Sequence, residues 1–210
     1  MAIKKIVKIW DDGKISNSNI EFLKLKTKKV TFPLSPFINQ IIQDLIDTYE
    51  TIACAGIAAN QIGYDERICV VNVKEPIVLI NPKIIDKSKE MFTFPEGCLS
   101  FPNKKVKVSR HVSISVECDN LDSTLFFTAD SAKLEDALEC ACVQHEIDHL
   151  DGITMFDKQV KGITIKRESK KIGRNDKVLI ACGVDSKVMK YKKALPLLED
   201  GWTLVEHSQK

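Results

Sequence analysis

The sequence predicts an α+β fold, in which small mixed or antiparallel β-sheets pack around one central helix. Three observations predict this class: a helical stripe of apolar residues after Pro36, a series of short runs rich in Val and Ile, and a second helical pattern that contains His145 and His149. Turn residues separate the short runs, as is typical of strands. A helix whose inward side packs against sheet belongs to the α+β class.

The first part of the chain predicts an irregular entry followed by a long helix. Residues 1–34 are expected to form short strands and irregular chain. Pro36 is expected to open a helix that runs to about Thr51, because proline suits the first helical turn. Apolar residues then recur at helical spacing and form a broad stripe: Phe37, Ile38, Ile41, Ile42, Leu45 and Ile46.

The middle of the chain predicts five strands and then a helix. The strand-like runs are residues 67–73, 77–80, 104–109, 112–118 and 125–129. The helix that follows is expected to have Ser131 as its N-cap. Residues of helical spacing would share one buried face of it: Leu134, Ala137, Leu138, Ala141, His145 and His149.

The segment His145-Glu146-Ile147-Asp148-His149 is the most informative motif of the chain. On a helix, residues four apart lie on one face with Cβ atoms about 5–6 Å apart. Both imidazoles can therefore reach one divalent metal, while Glu146 lies close enough to handle a proton of the metal's water. The motif also arises by chance, so the source of a third ligand decides whether it marks a metal site.

A catalytic site of this kind needs three protein ligands and an open position for water. Met155 stands where HExxHxxGxxH enzymes place a histidine, which excludes that arrangement. Glu168 lies where other HExxH enzymes take a glutamate, but lysines and arginines surround it in sequence. Cys98 is the better candidate, because a thiolate binds zinc or ferrous iron and Gly97 allows a tight turn beside it. The alternative is that Cys98 is a small buried hydrophobic residue, as we expect of most of the seven cysteines.

Three segments together resemble the peptide deformylase family. They are Ala55-Gly56-Ile57-Ala58-Ala59-Asn60-Gln61, Glu96-Gly97-Cys98-Leu99-Ser100, and the motif segment from Gln144 to Gly152. The likeness extends over roughly residues 30–157, and the combination is far more specific than any one segment. Cys54 stands where the family usually has a glycine, which bears on the backbone at the mouth of the site and removes no catalytic group.

The resemblance implies a metal-dependent hydrolase with defined residue roles. Cys98, His145 and His149 would hold the metal, with water in the fourth position. Glu146 would accept the water's proton and later pass it to the departing amine, since a bound metal lowers the pKa of water from about 15.7 toward about 7. The oxyanion that forms on the formyl group would be met by two donors, the side-chain amide of Gln61 and the backbone N–H of Leu99.

The implied substrate is the N-formylmethionine end of a new polypeptide, and the implied products are formate and a free α-amine. The resemblance implies that the peptide adds as a β-strand beside the backbone of Gly56 and Ile57. Asp148 would support a ligand histidine. The methionine side chain would occupy an apolar pocket, although such residues are ordinarily core; its walls would be Phe94, Leu138, Ala141 and Cys142.

The ligand set Cys-His-His accepts Fe²⁺, Zn²⁺, Ni²⁺ or Co²⁺, and we expect Fe²⁺ in the cell.

A content of 44% hydrophobic and 29% charged residues is typical of soluble globular proteins. No signal-peptide core is evident, and no stretch reaches the roughly 18 apolar residues of a membrane span. Scattered cysteines fit a reducing compartment. We therefore expect a cytoplasmic protein with neither a membrane nor a DNA partner.

The chain is expected to divide into a catalytic domain, residues 1–157, and a basic extension, residues 158–210. Between residues 158 and 193, twelve Lys and Arg oppose three acidic residues, a net charge of +9. A solvated face explains such a run; the alternative, which some deformylases suggest, is docking on ribosomal RNA. Residues 177–183 predict a strand and residues 190–199 a short helix. No second metal site is expected, because Cys182 stands alone there.

Two other functions compete with deformylation. A metallopeptidase with the same metal would cleave unblocked or internal peptide bonds and release no formate. A deformylase-shaped module would bind nascent chains or the ribosome without turnover. The presence of all three ligand residues and of Glu146 argues against this second alternative.

Overall fold

The structure is a computed structural model that describes residues 3–11, 14–73, 75–130, 133–160, 177–182, 185–199 and 203–207. The chain divides into two units, Met1–Val160 and Lys161–Lys210. This division falls three residues after the predicted boundary at residue 157. The roles expected of the two parts stay predictions.

The first unit contains ten short strands, three α-helices and one 3-10 helix in its described part. In chain order they are β1 (Trp10–Asp11), β2 (Lys14–Ile15), α1 (Asn17–Leu23), α2 (Pro36–Thr51), β3 (Gly56–Ala58), the 3-10 helix (Ala59–Ile62), β4 (Ile68–Val73), β5 (Glu75–Ile80), β6 (Lys83–Lys87), β7 (Met91–Cys98), β8 (Phe101–His111), β9 (Ser113–Glu117), β10 (Leu125–Thr128) and α3 (Leu134–Leu150).

The strands form small antiparallel sheets in the orders β3-β4-β5, β10-β9-β6, β7-β8 and β1-β2. Helix α3 contacts β3 and β4 on one sheet and β10 on another. Apolar side chains from α3 and from both of these sheets form one core cluster. The predicted α+β class, with small sheets around the helix that carries the motif, is thereby confirmed.

Helix α2 begins and ends where the sequence predicts. Ser35 caps its first turn by accepting a hydrogen bond from the Ile38 N–H, and Pro36 occupies the first turn, where its missing N–H costs nothing. Ile41 and Leu45 are fully buried. Burial of each such side chain stabilises the fold by about 1.5–3 kcal/mol.

The five predicted strands correspond to β4, β5, β8, β9 and β10, each within about three residues at either end. Strands β3, β6 and β7 and helix α1 were not predicted. Strand β7 contains Pro95 and Gly97, which usually interrupt strands. Proline is accommodated here because, in the described part of the chain, β7 pairs with β8 alone and one edge of the strand needs no partner.

Helix α3 differs from the prediction at its start and in its burial. Ser131 lies outside the described residues, and the N-cap is Lys133. Leu134 and Leu138 are exposed rather than buried, whereas every residue from Cys140 to Leu150 is buried. From Cys140 onward the helix is buried on every side, so this part of its sequence shows no single buried face.

The second unit contains β11 (Lys177–Cys182), β12 (Asp185–Lys190), α4 (Tyr191–Glu199) and β13 (Thr203–His207) in its described part. The strands form an antiparallel sheet in the order β12-β11-β13. The predicted strand and helix are both observed, as β11 and α4. Residues 161–176, which contain six of the twelve Lys and Arg of the basic run, lie outside the described residues. Within the described ranges, no helix has the length and hydropathy needed to cross a membrane.

Candidate active site

The two motif histidines face each other on α3. Their Nε2 atoms are 3.2 Å apart, and the ring planes are inclined by 78°. This approach follows from helix geometry, since residues four apart lie one above the other. Both side chains are buried, His149 almost completely. The helix thus directs two imidazole nitrogens at one point.

Cys98 brings a sulfur to the same point from the end of β7. Its Sγ atom lies 3.1 Å from His149 Nε2. The pairing register between β7 and β8 shifts between Gly97 and Cys98, a local irregularity that re-aims the side chain after it. One ligand atom each from Cys98, His145 and His149 lie within 4.8 Å of one another.

This donor set fits a divalent metal. Four-coordinate metal sites with Zn–N bonds of about 2.0–2.1 Å place ligand nitrogens about 3.3 Å apart, close to the 3.2 Å seen here. His145 Nδ1 lies 2.8 Å from Glu96 Oε2, so this nitrogen carries the proton and donates a hydrogen bond to the carboxylate. The lone pair of His145 Nε2 is then directed at the other two ligand atoms.

Glu96 is held by the fully buried Arg110. The guanidinium donates to Glu96 Oε1 at 2.6 Å and to Oε2 at 2.7 Å, and also to Asp148. Burial raises the pKa of Glu96, but the hydrogen bonds from Arg110 and His145 outweigh it and bring the pKa to about 2. Glu96 is therefore a fixed anion that orients His145.

The expectation for Asp148 was wrong. Its carboxylate binds Arg110 and, at 2.6 Å, Lys158, so it contacts no ligand histidine. Glu96 is the carboxylate that supports a motif histidine, and the sequence analysis predicted a role neither for it nor for Arg110. Glu96 is the first residue of the second family-like segment, and that position could have indicated a role in the site. The sequence gives no comparable signal for Arg110, whose partner lies 14 residues away on the paired strand.

Glu146 is a buried carboxyl group that lines a cavity beside the ligand atoms. Its Oε2 atom has no hydrogen-bond partner among the described residues. Burial raises the pKa of Glu146 most, His145 lowers it, and the charge of Glu96 raises it again, giving a value of about 7. A carboxyl group with this pKa can both accept and release a proton near neutral pH.

Gly56 permits the close approach of β3 to Glu146. A Cβ atom at Gly56 would lie 2.8 Å from both Cys142 Sγ and Glu146 Cγ, and 2.9 Å from Glu146 Oε1. Real Cβ atoms essentially never come so close to other heavy atoms. Glycine is therefore required here by space and not by an unusual φ angle.

Gln61 and Leu99 both stand next to the sulfur of Cys98. The Gln61 side chain is buried, its Oε1 accepts a hydrogen bond from the Ala58 N–H at 2.9 Å, and its Nε2 donates to Cys98 Sγ at 3.4 Å. The 3-10 helix thus fixes which end of the amide faces the site. Leu99 directly follows Cys98 and also lines the cavity.

The cavity has a volume of about 930 Å³. All four predicted pocket walls line it, together with Gly56: Phe94, Leu138, Ala141 and Cys142. The side chain of Ile57 does not, because it is fully buried in a second core cluster. Only the backbone of Ile57 can serve a peptide, and β3 offers such an edge, since β4 is its one partner strand among the described residues.

Cys54 lines the mouth of the cavity without distorting it. The φ angle of Cys54 is not positive, so an ordinary side chain fits its backbone conformation. Burial, followed by the charge of Glu146, raises the pKa of the Cys54 thiol to about 11. The thiol is therefore neutral at physiological pH, and with Cys54 at this position the three ligand atoms lie within 4.8 Å of one another.

Comparison with known proteins shows which family has this arrangement. The sequence model of the family described as polypeptide deformylase matches residues 12–164. The chain belongs to the peptide deformylase family. The peptide deformylase of Natranaerobius thermophilus is 38% identical over 160 residues, which cover 75% of this chain and 93% of that protein. That of Elusimicrobium minutum is 36% identical over 189 residues, 83% of this chain and 99% of that protein.

Solved peptide deformylase structures show the same fold. The Thermotoga maritima enzyme has a TM-score of 0.61 and 26% identity, covering 76% of this chain and 99% of its own. The Legionella pneumophila enzyme has a TM-score of 0.60 and 31% identity, covering 76% and 88%. The actinonin-bound class I type b enzyme of Acinetobacter baumannii has a TM-score of 0.62 and 26% identity, covering 76% and 100%.

Peptide deformylases are metal-dependent hydrolases that remove the N-formyl group from nascent polypeptides. The predicted family, reaction and enzyme class are thereby confirmed. Membership of this family also favours deformylation over the metallopeptidase alternative. A possible metal site is present at Cys98, His145 and His149, as the reaction requires.

Proposed function

We propose that this chain removes the formyl group of N-formylmethionyl peptides with Cys98, His145 and His149 as metal ligands and Glu146 as acid and base. The observation that carries the proposal is the convergence of three ligand atoms beside a buried, unpartnered carboxyl oxygen at one cavity. A structural role alone would not leave Glu146 Oε2 buried without a partner, since such groups are costly.

The metal, when bound, supplies Lewis acidity and lowers the pKa of its water toward about 7. Cys98, His145 and His149 leave one position of a four-coordinate site for that water. Fe²⁺ is the ion we propose for the cell, with Zn²⁺, Ni²⁺ and Co²⁺ as ions that the same ligands accept. Glu96 fixes His145 with its Nε2 lone pair toward the site, and this hydrogen bond supports the proposed ligand role.

Glu146 takes the proton of the attacking water and delivers it to the amine that leaves. A pKa of about 7 suits both halves of this task, because the group changes protonation state with little cost near neutral pH. Its partnerless oxygen faces no competing donor among the described residues.

Gln61 and the Leu99 backbone N–H stabilise the oxyanion that develops on the formyl group. The Ala58 N–H holds Gln61 Oε1, which leaves the NH₂ end of the amide directed at the Cys98 sulfur. Loss of one such donor typically costs about 10²–10³ in rate.

The substrate adds as a strand along the free edge of β3, beside the backbone of Gly56 and Ile57. Its methionine side chain occupies the apolar wall of the cavity formed by four residues: Phe94, Leu138, Ala141 and Cys142.

The protein acts in the cytoplasm, and the basic run between residues 158 and 193 docks on the ribosome. The support for docking is the charge of that run, which favours contact with phosphates.

The test is formate release by wild type and Glu146→Gln from formyl-Met-Ala-Ser. We expect the variant to lose about 10²–10⁴ in kcat/KM while keeping its metal content, because only the proton transfer is removed. Glu135→Gln is the matched control, since Glu135 is exposed on the same helix and does not line the cavity. Full activity of Glu146→Gln, or cleavage of internal bonds without formate, would overturn the proposal.

A further inference from the structure

One side of the active-site cavity is positively charged. Lys8, Lys104 and Lys105 line it; the last two are exposed and Lys8 is half-buried. Lys104 Nζ lies 5.7 Å from the centre of the Trp10 ring, a cation–π contact that restrains the ammonium group. The described residues offer none of the three an ion pair.

These lysines stand close to the groups that carry the reaction. Lys105 pairs with Gly97, and its Cγ would lie 3.7 Å from a Cβ atom at Gly97, so its stem passes beside the residue that precedes Cys98. The backbone on either side of Lys8 is fastened to the site, because the Val7 N–H donates to the Gln61 carbonyl and the Ile9 N–H to the Ser100 carbonyl.

No exposed acid among the lining residues offsets this charge. The carboxyl groups that line the cavity are Glu96 and Glu146, and both are buried. Arg110 already pairs with Glu96 through two hydrogen bonds. The solvent-facing charge of the cavity lining is therefore entirely positive.

We propose that Lys8, Lys104 and Lys105 form a cationic rim that selects formylated peptides with acidic side chains in the few residues after the methionine. This inference rests on the proposed function. When the methionine side chain occupies the apolar wall, the chain that follows must leave across the exposed part of the lining. Acidic side chains are attracted there and basic ones are repelled, because a cleft lined by one sign of charge raises the local concentration of groups of the opposite sign.

The expected discrimination is moderate. Exposed ion pairs are weak, so each acidic residue should raise kcat/KM by about 1.5- to 5-fold over a neutral one. Screening makes the effect depend on salt, since the Debye length falls from about 10 Å at 0.1 M to about 3 Å at 1 M. A preference that vanishes in salt is thus the signature of the rim.

The experiment compares three amidated peptides on the full chain loaded with metal: formyl-Met-Ala-Glu-Glu, formyl-Met-Ala-Ser-Ser and formyl-Met-Ala-Lys-Lys. We expect kcat/KM from formate release to fall in that order at low salt, and the spread to collapse at about 1 M salt. Equal rates for the three peptides at low salt, or an order that survives high salt, would overturn the inference.

Charge reversal tests which lysines act. The double variant Lys104→Glu with Lys105→Glu should invert the order of the Glu and Lys peptides. The control, Lys83→Glu with Lys87→Glu, makes the same change in net charge on β6, where both side chains are exposed and away from this cavity. If the control inverts the order equally, overall charge and not the rim selects the substrate.

Binding of the unformylated peptide amides Met-Ala-Glu-Glu and Met-Ala-Lys-Lys, measured by calorimetry, decides the inference without turnover. Tighter binding of the acidic peptide that the rim variant abolishes supports the rim even if no formate is released. Absence of formate from every peptide refutes the proposed function instead. If the peptides bind equally and the rim variant loses affinity only for single-stranded RNA, the lysines form a nucleic-acid surface and the inference is wrong.

Discussion

At the scale of single residues, the site depends on a few close approaches. The motif histidines could be predicted as partners, because helix geometry alone brings residues four apart together. The closeness of Gly56 to Glu146 could not, since it joins residues of β3 and α3 that are distant in sequence. The resemblance singled out Gly56 for its backbone, and the structure adds that its missing side chain makes room for Glu146.

The variant Gly56→Ala tests this point. The new Cβ atom would clash with Cys142 and Glu146, and the carboxyl group must move. We expect kcat/KM for formyl-Met-Ala-Ser to fall by about 10²-fold, because misplacement of a catalytic group by about 1 Å has effects of that size. Metal content, measured by elemental analysis, should stay at one ion per chain. Wild-type activity of Gly56→Ala would show that the close packing does not position Glu146.

The partners of buried charged residues are equally difficult to predict from the sequence. Cys98 could be chosen as a ligand from its segment, but Glu96 as the partner of His145 depends on Arg110, which reaches it only across paired strands. Sequence patterns record spacing along the chain and not pairing between strands. The misassigned role of Asp148 has this cause.

At the scale of elements, the pairing of β7 with β8 builds the support of the metal site. Arg110 on β8 joins Glu96 on β7 to Asp148 on α3, with all three side chains buried. The sequence did not predict β7 because of its proline and glycine. An unpredicted strand thus carries both Cys98, a proposed metal ligand, and Glu96, the residue that orients His145.

Arg110→Met should weaken the fold and the metal site together. Glu96 and Asp148 would lose the guanidinium that they share and keep only His145 and Lys158 as partners; breaking such a buried pair costs about 3–5 kcal/mol of the free energy of unfolding. Metal affinity should fall about 10- to 100-fold, as when other partners of ligand histidines are lost. Urea unfolding and competition with a chelator measure the two effects. Lys107→Met, an exposed change on the same strand, should alter neither; unchanged metal affinity in Arg110→Met would contradict the account.

A second connection between elements predicts a pH dependence. Asp44 on α2 is buried and accepts hydrogen bonds from Tyr64 at 2.6 Å and Gln40 at 2.9 Å, and it pairs with Lys4 at 3.1 Å. Burial raises the pKa of Asp44, but these three partners outweigh burial and hold the pKa below its usual value. The carboxylate therefore stabilises the folded chain above the pKa of the unfolded state, about 3.9, and this contribution is lost as the pH falls through the lower folded pKa.

Asp44→Asn should consequently destabilise the protein by about 1–3 kcal/mol at pH 7, the usual cost of losing charged hydrogen bonds. The difference from wild type should shrink as the pH falls below about 4. Urea unfolding at pH 7, 5 and 3.5 gives the profile. Asp86→Asn, an exposed change on β6, is the control. A difference that grows toward acid would mean that Asp44 is protonated in the folded state.

At the scale of the whole molecule, every residue that lines the cavity falls in the first unit, between Lys8 and Glu146. The α+β class could be predicted, because five of its strands and its central helix have local patterns. The arrangement of the sheets around α3 could not, since the part of α3 from Cys140 onward is buried on every side and has no one-sided pattern. The role of the second unit stays a prediction from its charge.

Removal of residues 161–210 should separate the two roles. We expect residues 1–160 to release formate from formyl-Met-Ala-Ser with kcat/KM within about threefold of the full chain, a change below 1 kcal/mol. Co-sedimentation with ribosomes should be lost, and that of the full chain should fall steeply with salt. Loss of activity on this short peptide in a folded truncated chain would contradict the division of roles.

The central claim is that one sulfur and two imidazole nitrogens surround a single metal beside Glu146. X-ray absorption by the zinc-loaded protein measures those ligands directly. The account predicts one sulfur at about 2.3 Å, two nitrogens at about 2.0–2.1 Å and one further light atom. A spectrum without sulfur, and unchanged by Cys98→Ser, would contradict it.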